Sequence, residues 1–373
     1  MAHDVIVVGL GGMGSAACWQ LARRDVRVLG IERFDIGHQM GSSHGLNRII
    51  RLAYFEHPAY VPLLRRAYSL WREAEQLSGE QLLFVTGSLD IGPEGSRVVE
   101  GSLASCAEHG LEHALLDAGT VHTRFPGYRL PPGFSAVYQG DGGFVASERA
   151  ILAHLQMASA AGAELHARER VIAIEPRAGG VAVVTDQARY EAGRVIVSAG
   201  AWIADLVPAL AGKAVPERQV LGWFQPKRPE LFMPDRFPVS NLLAEEGHLY
   251  QFPIWGIPGF KIGVYHHLHE SGHADALSRE PTARDEALLR SVVGRYFPEA
   301  DGPLLRLGVC LFTNVEDEHF VIDTAPGAEE VIVASPCSGH GFKFASVVGE
   351  ILADIATGKT PPFDLSLFSL DRL

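Results

Sequence analysis

Lysine is scarce in this chain. Only five occur in 373 residues, at positions 213, 227, 261, 343 and 359. A lysine in an apolar or glycine-rich context therefore stands out. A basic excess is also missing: 32 Lys and Arg face 44 Asp and Glu, a formal net charge of −12. That balance excludes non-specific binding to nucleic acid or to an anionic membrane surface. Long apolar runs are absent, and nothing approaches the ~18 uninterrupted residues of a membrane span. The apolar N-terminus begins at once and includes Asp4, so it does not read as a secretory leader. Cysteine is rare. Cys18, Cys106, Cys310 and Cys337 show no C-x-x-C or other metal-ligand spacing. Without an export signal, disulfides are not expected, and the chain reads as cytoplasmic.

Glycine, by contrast, is placed with purpose. Asp4-Val5-Ile6-Val7-Val8 reads as a short buried strand, and Gly9-Leu10-Gly11-Gly12-Met13-Gly14 follows it. Ser15 to Ala22 then reads as a helix, and Val26 to Ile31 as a second strand ending in Glu32. A G-x-G-x-x-G between strand and helix, with an acid closing the next strand, points to a dinucleotide. Gly9 allows the tight turn, Gly11 lets backbone approach a pyrophosphate, and Gly14 lets helix and strand pack closely. The helix N-terminus offers free N–H groups and a positive dipole end. Glu32 would accept hydrogen bonds from a ribose. At 373 residues, two intimately connected domains are expected.

The polar, flexible stretch Gly37 to Gly45 reads as a ligand-contacting loop. Helices are expected over 58–77, 98–109 and 147–161, a strand over 86–92, and a strand pair at 171–174 and 181–184. Arg194 to Trp202 reads as a strand running into a small-residue turn, which returns the chain to the dinucleotide sheet. Residues 215–310 are strand-rich and suit a second sheet. Val331 to Ser335 is a last strand, and a closing helix is expected over 342–357. The nucleotide domain is thus built from separate parts: 1–90, 145–215 and 315–373, with 91–144 and 216–314 forming the substrate domain.

Several segments occur together in order: the opening fingerprint, Ser43-His44-Gly45-x-x-Arg48-x-x-Arg51, Ser198 to Trp202, Gly308-Val309-Cys310, and Ser338 to Phe344. The set resembles the monomeric sarcosine oxidase and N-methyltryptophan oxidase family of flavoenzymes over essentially the whole chain. The resemblance implies a mixed α/β fold: an FAD-binding, Rossmann-like domain of the glutathione-reductase/D-amino-acid-oxidase type, interleaved with an antiparallel-sheet substrate domain. It implies FAD, held by Gly9, Gly11, Gly12, Met13, Gly14, Glu32, Arg33, Ser43, His44, Arg48, Val171, Gly200, Trp202, Gly339, Gly341, Phe342 and Lys343. It also implies a thioether from Cys310 to the flavin, which requires a thiolate in an electropositive pocket. By itself Cys310 would read as a small buried hydrophobe.

The same resemblance places Arg51 and Lys343 on the substrate carboxylate, the first as a planar fork and the second as a point charge. Tyr250 matches a pocket tyrosine. Lys261 is expected over the flavin, its charge stabilising the superoxide formed as O2 takes an electron, with Arg48 on the same face. The chain departs from the family in two places. Val264-Tyr265-His266-His267 carries an additional residue, so His266 is taken as the counterpart of a family histidine. Phe312 stands where sarcosine oxidases commonly have tyrosine. His340, His319 and Glu316-Asp317-Glu318 read as a solvated loop.

The implied reaction is oxidation of a small secondary amino acid such as sarcosine by O2, giving an amino acid, formaldehyde and hydrogen peroxide. The implied working unit is a monomer with no macromolecular partner. Alternatives are an oxidase of proline, pipecolate or N-methyltryptophan, a flavin dehydrogenase of the same fold, an NAD(P)-dependent enzyme, and a non-catalytic flavin-binding subunit. An NAD(P) enzyme would leave Cys310 and Lys343 without a role.

Overall fold

The computed structural model describes residues 3–373. The opening unit forms as its residues dictate. His3–Val8 is a strand with its last four residues buried, Gly12–Ala22 is a helix, and Val28–Ile31 is a fully buried strand. The two strands run parallel, Val5 opposite Val28 and Val8 opposite Ile31. A parallel pair needs a crossover, and the helix supplies it. Burial on both faces explains the unbroken apolar runs.

Arg189–Val197 lies parallel to His3–Val8 on its other edge. The C-terminal half of this long strand pairs in parallel with Ala328–Ser335. Its N-terminal half pairs antiparallel with Gly180–Thr185, which pairs in turn with Val171–Arg177. One eight-stranded sheet is thus assembled from widely separated parts of the chain. The closing helix begins as a 3-10 turn, Phe342–Phe344, and continues as Ala345–Ala356. It lies against the opening helix, where Gly349 meets Ala16 so closely that a Cβ would sit 2.6 Å from the Ala16 backbone.

A second eight-stranded sheet runs in the order Leu304–Asn314, Val215–Phe224, Phe260–Val264, Gly247–Phe252, Val239–Ala244, Ser88–Pro93, Phe134–Gln139 and Ala114–Asp117. It is not purely antiparallel as expected: Val239–Ala244 runs parallel to Ser88–Pro93. The chain reaches that neighbour after a long excursion, so no hairpin dictates its direction. A boundary at residue 90 would cut through Ser88–Pro93, and the sheets place the division before Ser88. Asn47–Ile50, Gly143–Ala146 and Leu83–Val85 form a small third sheet. Among the described residues, no helix is long and apolar enough to cross a membrane.

Candidate active site

The glycine turn meets its steric requirements from within the protein. Gly9 sits at φ +88°, and a Cβ there would lie 2.6 Å from the Ser198 carbonyl oxygen. A Cβ on Gly14 would lie 1.8 Å from the Gly9 carbonyl oxygen, so helix and strand touch at that point. Gly11 differs: the nearest atom to its Cβ would be Ser43 Oγ at 3.5 Å. Its bare face opens into a cleft of about 590 Å3. Ser43 Oγ accepts from the Gly12 N–H at 3.2 Å and so closes the turn against the loop.

The cleft is lined by Gly9, Gly11, Gly12, Met13, Glu32, Arg33, Ser43, Arg48, Val171, Gly200, Trp202, Gly339, Gly341 and Phe342. Gly14 and His44 are not among its lining residues. Glu32 is buried and accepts from the Leu10 N–H at 2.9 Å and the Phe34 N–H at 3.0 Å. His38 Nε2 also lies 3.4 Å from Glu32 Oε1, and a carboxylate has about four acceptor positions, so acceptor capacity remains toward the cleft. The Arg33 guanidinium lies about 5 Å from the Phe34 and Trp202 rings and pairs with Asp275 at 3.0 Å. The open glycine face, the helix N-terminus and the free carboxylate positions of Glu32 together fit an elongated dinucleotide.

A second, smaller chamber of about 40 Å3 adjoins the cleft. The two share Arg48, Phe312, Gly339 and Phe342 in their walls. Arg51, Tyr250, Tyr265, Cys310, His340 and Lys343 complete much of the chamber wall. Arg51 is fully enclosed, its Nε donating to Asp90 at 3.0 Å and its Nη2 to Glu56 at 2.9 Å. Its Nη1 has no partner among the described residues. A buried guanidinium nitrogen without an acceptor is costly, and it points to an anionic ligand. Lys343 Nζ donates to the His340 carbonyl oxygen at 2.7 Å. Burial, aided by the Arg51 charge, lowers its pKa to about 7. Burial pushes Glu56 upward, but Arg51 above all, with Lys343, outweighs it and holds the carboxyl at about 2. Burial raises Asp90, while Arg51, Asn241 and Ser102 favour its ionised form.

Cys310 lies in the chamber wall on the strand Leu304–Asn314. Burial raises its thiol, contrary to the lowered value the sequence implied, and Arg48, Lys261 and Arg279 pull it back. Arg48 reaches across the loop, donating to the carbonyl oxygens of Asn47 at 2.9 Å and Ser42 at 2.7 Å and also to that of His44. Lys261 is not a lining residue of either space. Its Nζ donates to Gly45 O at 2.7 Å, Asn47 O at 2.9 Å and Asn47 Oδ1 at 2.7 Å. Burial and Arg48 lower its pKa strongly, whereas three acceptors around one nitrogen suit the ammonium form. His44 is buried with Nε2 unpartnered, and burial carries it down to about 4.

The structure corrects two expectations here. His266 is not in the chamber. It is part-exposed and bonds through Nδ1 to Glu217 at 2.7 Å. Tyr265 faces the chamber instead, stacked on His248 at 4.4 Å and edge-on to Phe312 at 5.4 Å. The strand ends at Val264, and His266 turns away with a left-handed backbone at φ +55°. His340 is not in a solvated loop. It is buried, with Nδ1 2.6 Å from the Tyr54 hydroxyl. Glu56, Asp90 and Tyr54 were missed because nothing local in the sequence marks them as partners of Arg51 and Lys343.

The FAD dependent oxidoreductase family matches residues 4–355. A monomeric sarcosine oxidase of Streptomyces avermitilis is 40% identical over 377 residues, covering 100% of this chain and 98% of that protein. An N-methyl-L-tryptophan oxidase of Salmonella heidelberg is 35% identical over 382 residues, covering 100% and 99%. The solved structure of NikD, described as an unusual amino acid oxidase essential for nikkomycin biosynthesis, superposes with a TM-score of 0.84 at 27% identity, covering 98% of this chain and 97% of that one. Glycine oxidase from Geobacillus kaustophilus, at 21% identity and a TM-score of 0.83, shares the fold. The chain belongs to the FAD-dependent oxidoreductase family.

Proposed function

We propose that the chain oxidises a small secondary amino acid, an N-methyl amino acid such as sarcosine, with O2 as acceptor. Amine, O2 and water give the amino acid, formaldehyde and hydrogen peroxide. The reading rests on one observation above all: unpartnered Arg51 Nη1 and buried Lys343 border a single small chamber adjoining the cofactor cleft. The similarity to proteins named monomeric sarcosine oxidase and N-methyl-L-tryptophan oxidase supports it.

In this reading Arg51 and Lys343 hold the substrate carboxylate. Tyr250, Tyr265 and Phe312 exclude water, so the amine is desolvated before it reacts. The two cations disfavour its protonated form, and the neutral amine is the reactive one. FAD, when bound, supplies the two-electron acceptor, and the protein supplies orientation and electrostatics. Arg48 and Lys261 contribute the positive charge that favours reduction of O2. Cys310 Sγ would hold the flavin through a thioether, with Arg48, Lys261 and Arg279 favouring its thiolate; the S–H and methyl C–H bonds given up for the C–S bond would release two electrons and two protons, taken up by the flavin and then by O2. The working unit is a single chain.

The test is peroxide release across sarcosine, N-methylalanine, N-methyltryptophan, proline and pipecolate. Sarcosine or N-methylalanine should turn over fastest, and no peroxide from any of the five would overturn the proposal. Acid-precipitated protein should stay yellow and lose that colour in Cys310→Ala. A colourless wild-type precipitate would remove the covalent link while leaving the reaction untouched.

A further inference from the structure

We infer that Tyr54 is a positioning residue for the carboxylate clamp, holding Arg51 and Lys343 side by side on one aromatic ring, and that His340 fixes that ring. The inference rests on the chamber being a carboxylate site. Tyr54 is fully buried. Arg51 Cζ lies 4.5 Å from its ring centroid and Lys343 Nζ lies 5.1 Å from it. A cation within about 6 Å of an aromatic ring gains from the electron-rich face, and here one ring serves both. Two like charges in a desolvated chamber repel each other. Glu56 and Asp90 offset part of that repulsion, and the shared ring offsets more of it without adding a further anion that would compete with substrate.

The hydrogen bonds show how the ring is held. His340 Nε2 lies 2.9 Å from the Glu318 carbonyl oxygen, which can only accept, so Nε2 carries the hydrogen. Buried among Lys343 and Arg51, the imidazole is neutral. Nδ1 is therefore an acceptor, and the Tyr54 hydroxyl donates to it at 2.6 Å. The hydroxyl oxygen keeps its lone pairs for Lys343 Nζ, a long contact at 3.5 Å. The carbonyl oxygen of His340 accepts from the same Nζ at 2.7 Å. One residue thus orients the ring through its side chain and holds the ammonium through its backbone.

The experiment titrates the holoenzyme with methoxyacetate and with its neutral isostere methoxyacetamide, reading the flavin absorbance. Tyr54→Phe removes the hydroxyl and keeps the ring; Tyr54→Leu removes both. Methoxyacetate should bind about tenfold more weakly to Tyr54→Phe and roughly a hundredfold more weakly to Tyr54→Leu. Methoxyacetamide should be unchanged in both, and KM for an N-methyl amino acid should rise more than kcat falls. Unchanged methoxyacetate affinity in Tyr54→Phe, or parallel loss of both ligands, would overturn the inference. If Tyr54→Leu does not fold, Tyr54→Phe still decides the matter. A wild-type enzyme that binds methoxyacetate no better than the amide would instead sink the carboxylate reading of the chamber, and this inference with it.

Discussion

Lys343→Met should lose about thirtyfold or more in kcat/KM for an N-methyl amino acid while keeping its FAD. Truncating one partner of a buried charge pair costs about 2–5 kcal/mol, and 1.4 kcal/mol is a factor of ten. Lys343 supplies the point charge, and Arg51 is already engaged by Asp90 and Glu56. Arg51 alone therefore cannot replace the lost interaction. Steady-state kinetics with flavin content measured per chain is the check; unchanged kcat/KM would refute the assigned role.

The same lysine predicts a pH dependence with a definite sign. Its pKa is lowered from 10.5 to about 7 in the folded protein. Carboxylate binding needs the ammonium form, so affinity for methoxyacetate should fall as pH rises above about 7. The slope should approach tenfold per pH unit and flatten in Lys343→Met. Stability moves the other way. Between pH 7 and 10.5 the unfolded chain holds a proton that the folded chain has released. The cost of burying Lys343 is therefore fully present below about pH 7 and gone above about 10.5. Lys343→Met should gain melting temperature, most at the acid side of that window.

The second large effect concerns folding and cofactor capture. Gly14→Ala should give little soluble, flavin-loaded protein. Its methyl would sit 1.8 Å from the Gly9 carbonyl oxygen and 2.7 Å from Ser198 Oγ. The clash is with backbone that also forms the cofactor turn. Overpacking typically costs about 1–3 kcal/mol and more where backbone cannot yield, against a total stability of roughly 5–15 kcal/mol. Gly11→Ala should behave differently. Its methyl meets no protein atom closer than 3.5 Å, so the melting temperature of the apoprotein should hold while flavin content per chain collapses. Equal loss of stability in the two variants would contradict the separate roles given to these glycines.

The contrast shows what a linear sequence can carry. The spacing of Gly9, Gly11, Gly14 and Glu32 encodes local geometry: a turn, a close helix–strand contact and an acid at a strand end. Each found its place because backbone sterics act over a few residues. Lys261, Cys310 and Lys343 were singled out by resemblance, and Arg48, Lys261 and Arg279 do act on Cys310. His266 was misplaced for a local reason too. The strand ends at Val264, and the left-handed turn at His266 carries that side chain away from the chamber, which period-2 counting does not foresee. The rest was not legible. Asp90 reaches Arg51 from a strand of the other sheet, and Tyr54 reaches His340 across 286 positions. Those pairings are products of the tertiary fold, and no spacing rule in the chain announces them.

The interleaving of the nucleotide sheet also bears on how the enzyme is made. The pyrophosphate turn is complete by Gly14, yet the same cleft is closed by Ser198–Trp202 and by Gly339–Phe342. A nascent chain on the ribosome therefore exposes an early half-site that cannot retain its ligand. The strand His3–Val8 waits for its parallel neighbour Arg189–Val197 until most of the polypeptide has emerged. A complete cleft needs the chain as far as Phe342, so flavin capture is expected only after nearly the whole polypeptide has been made.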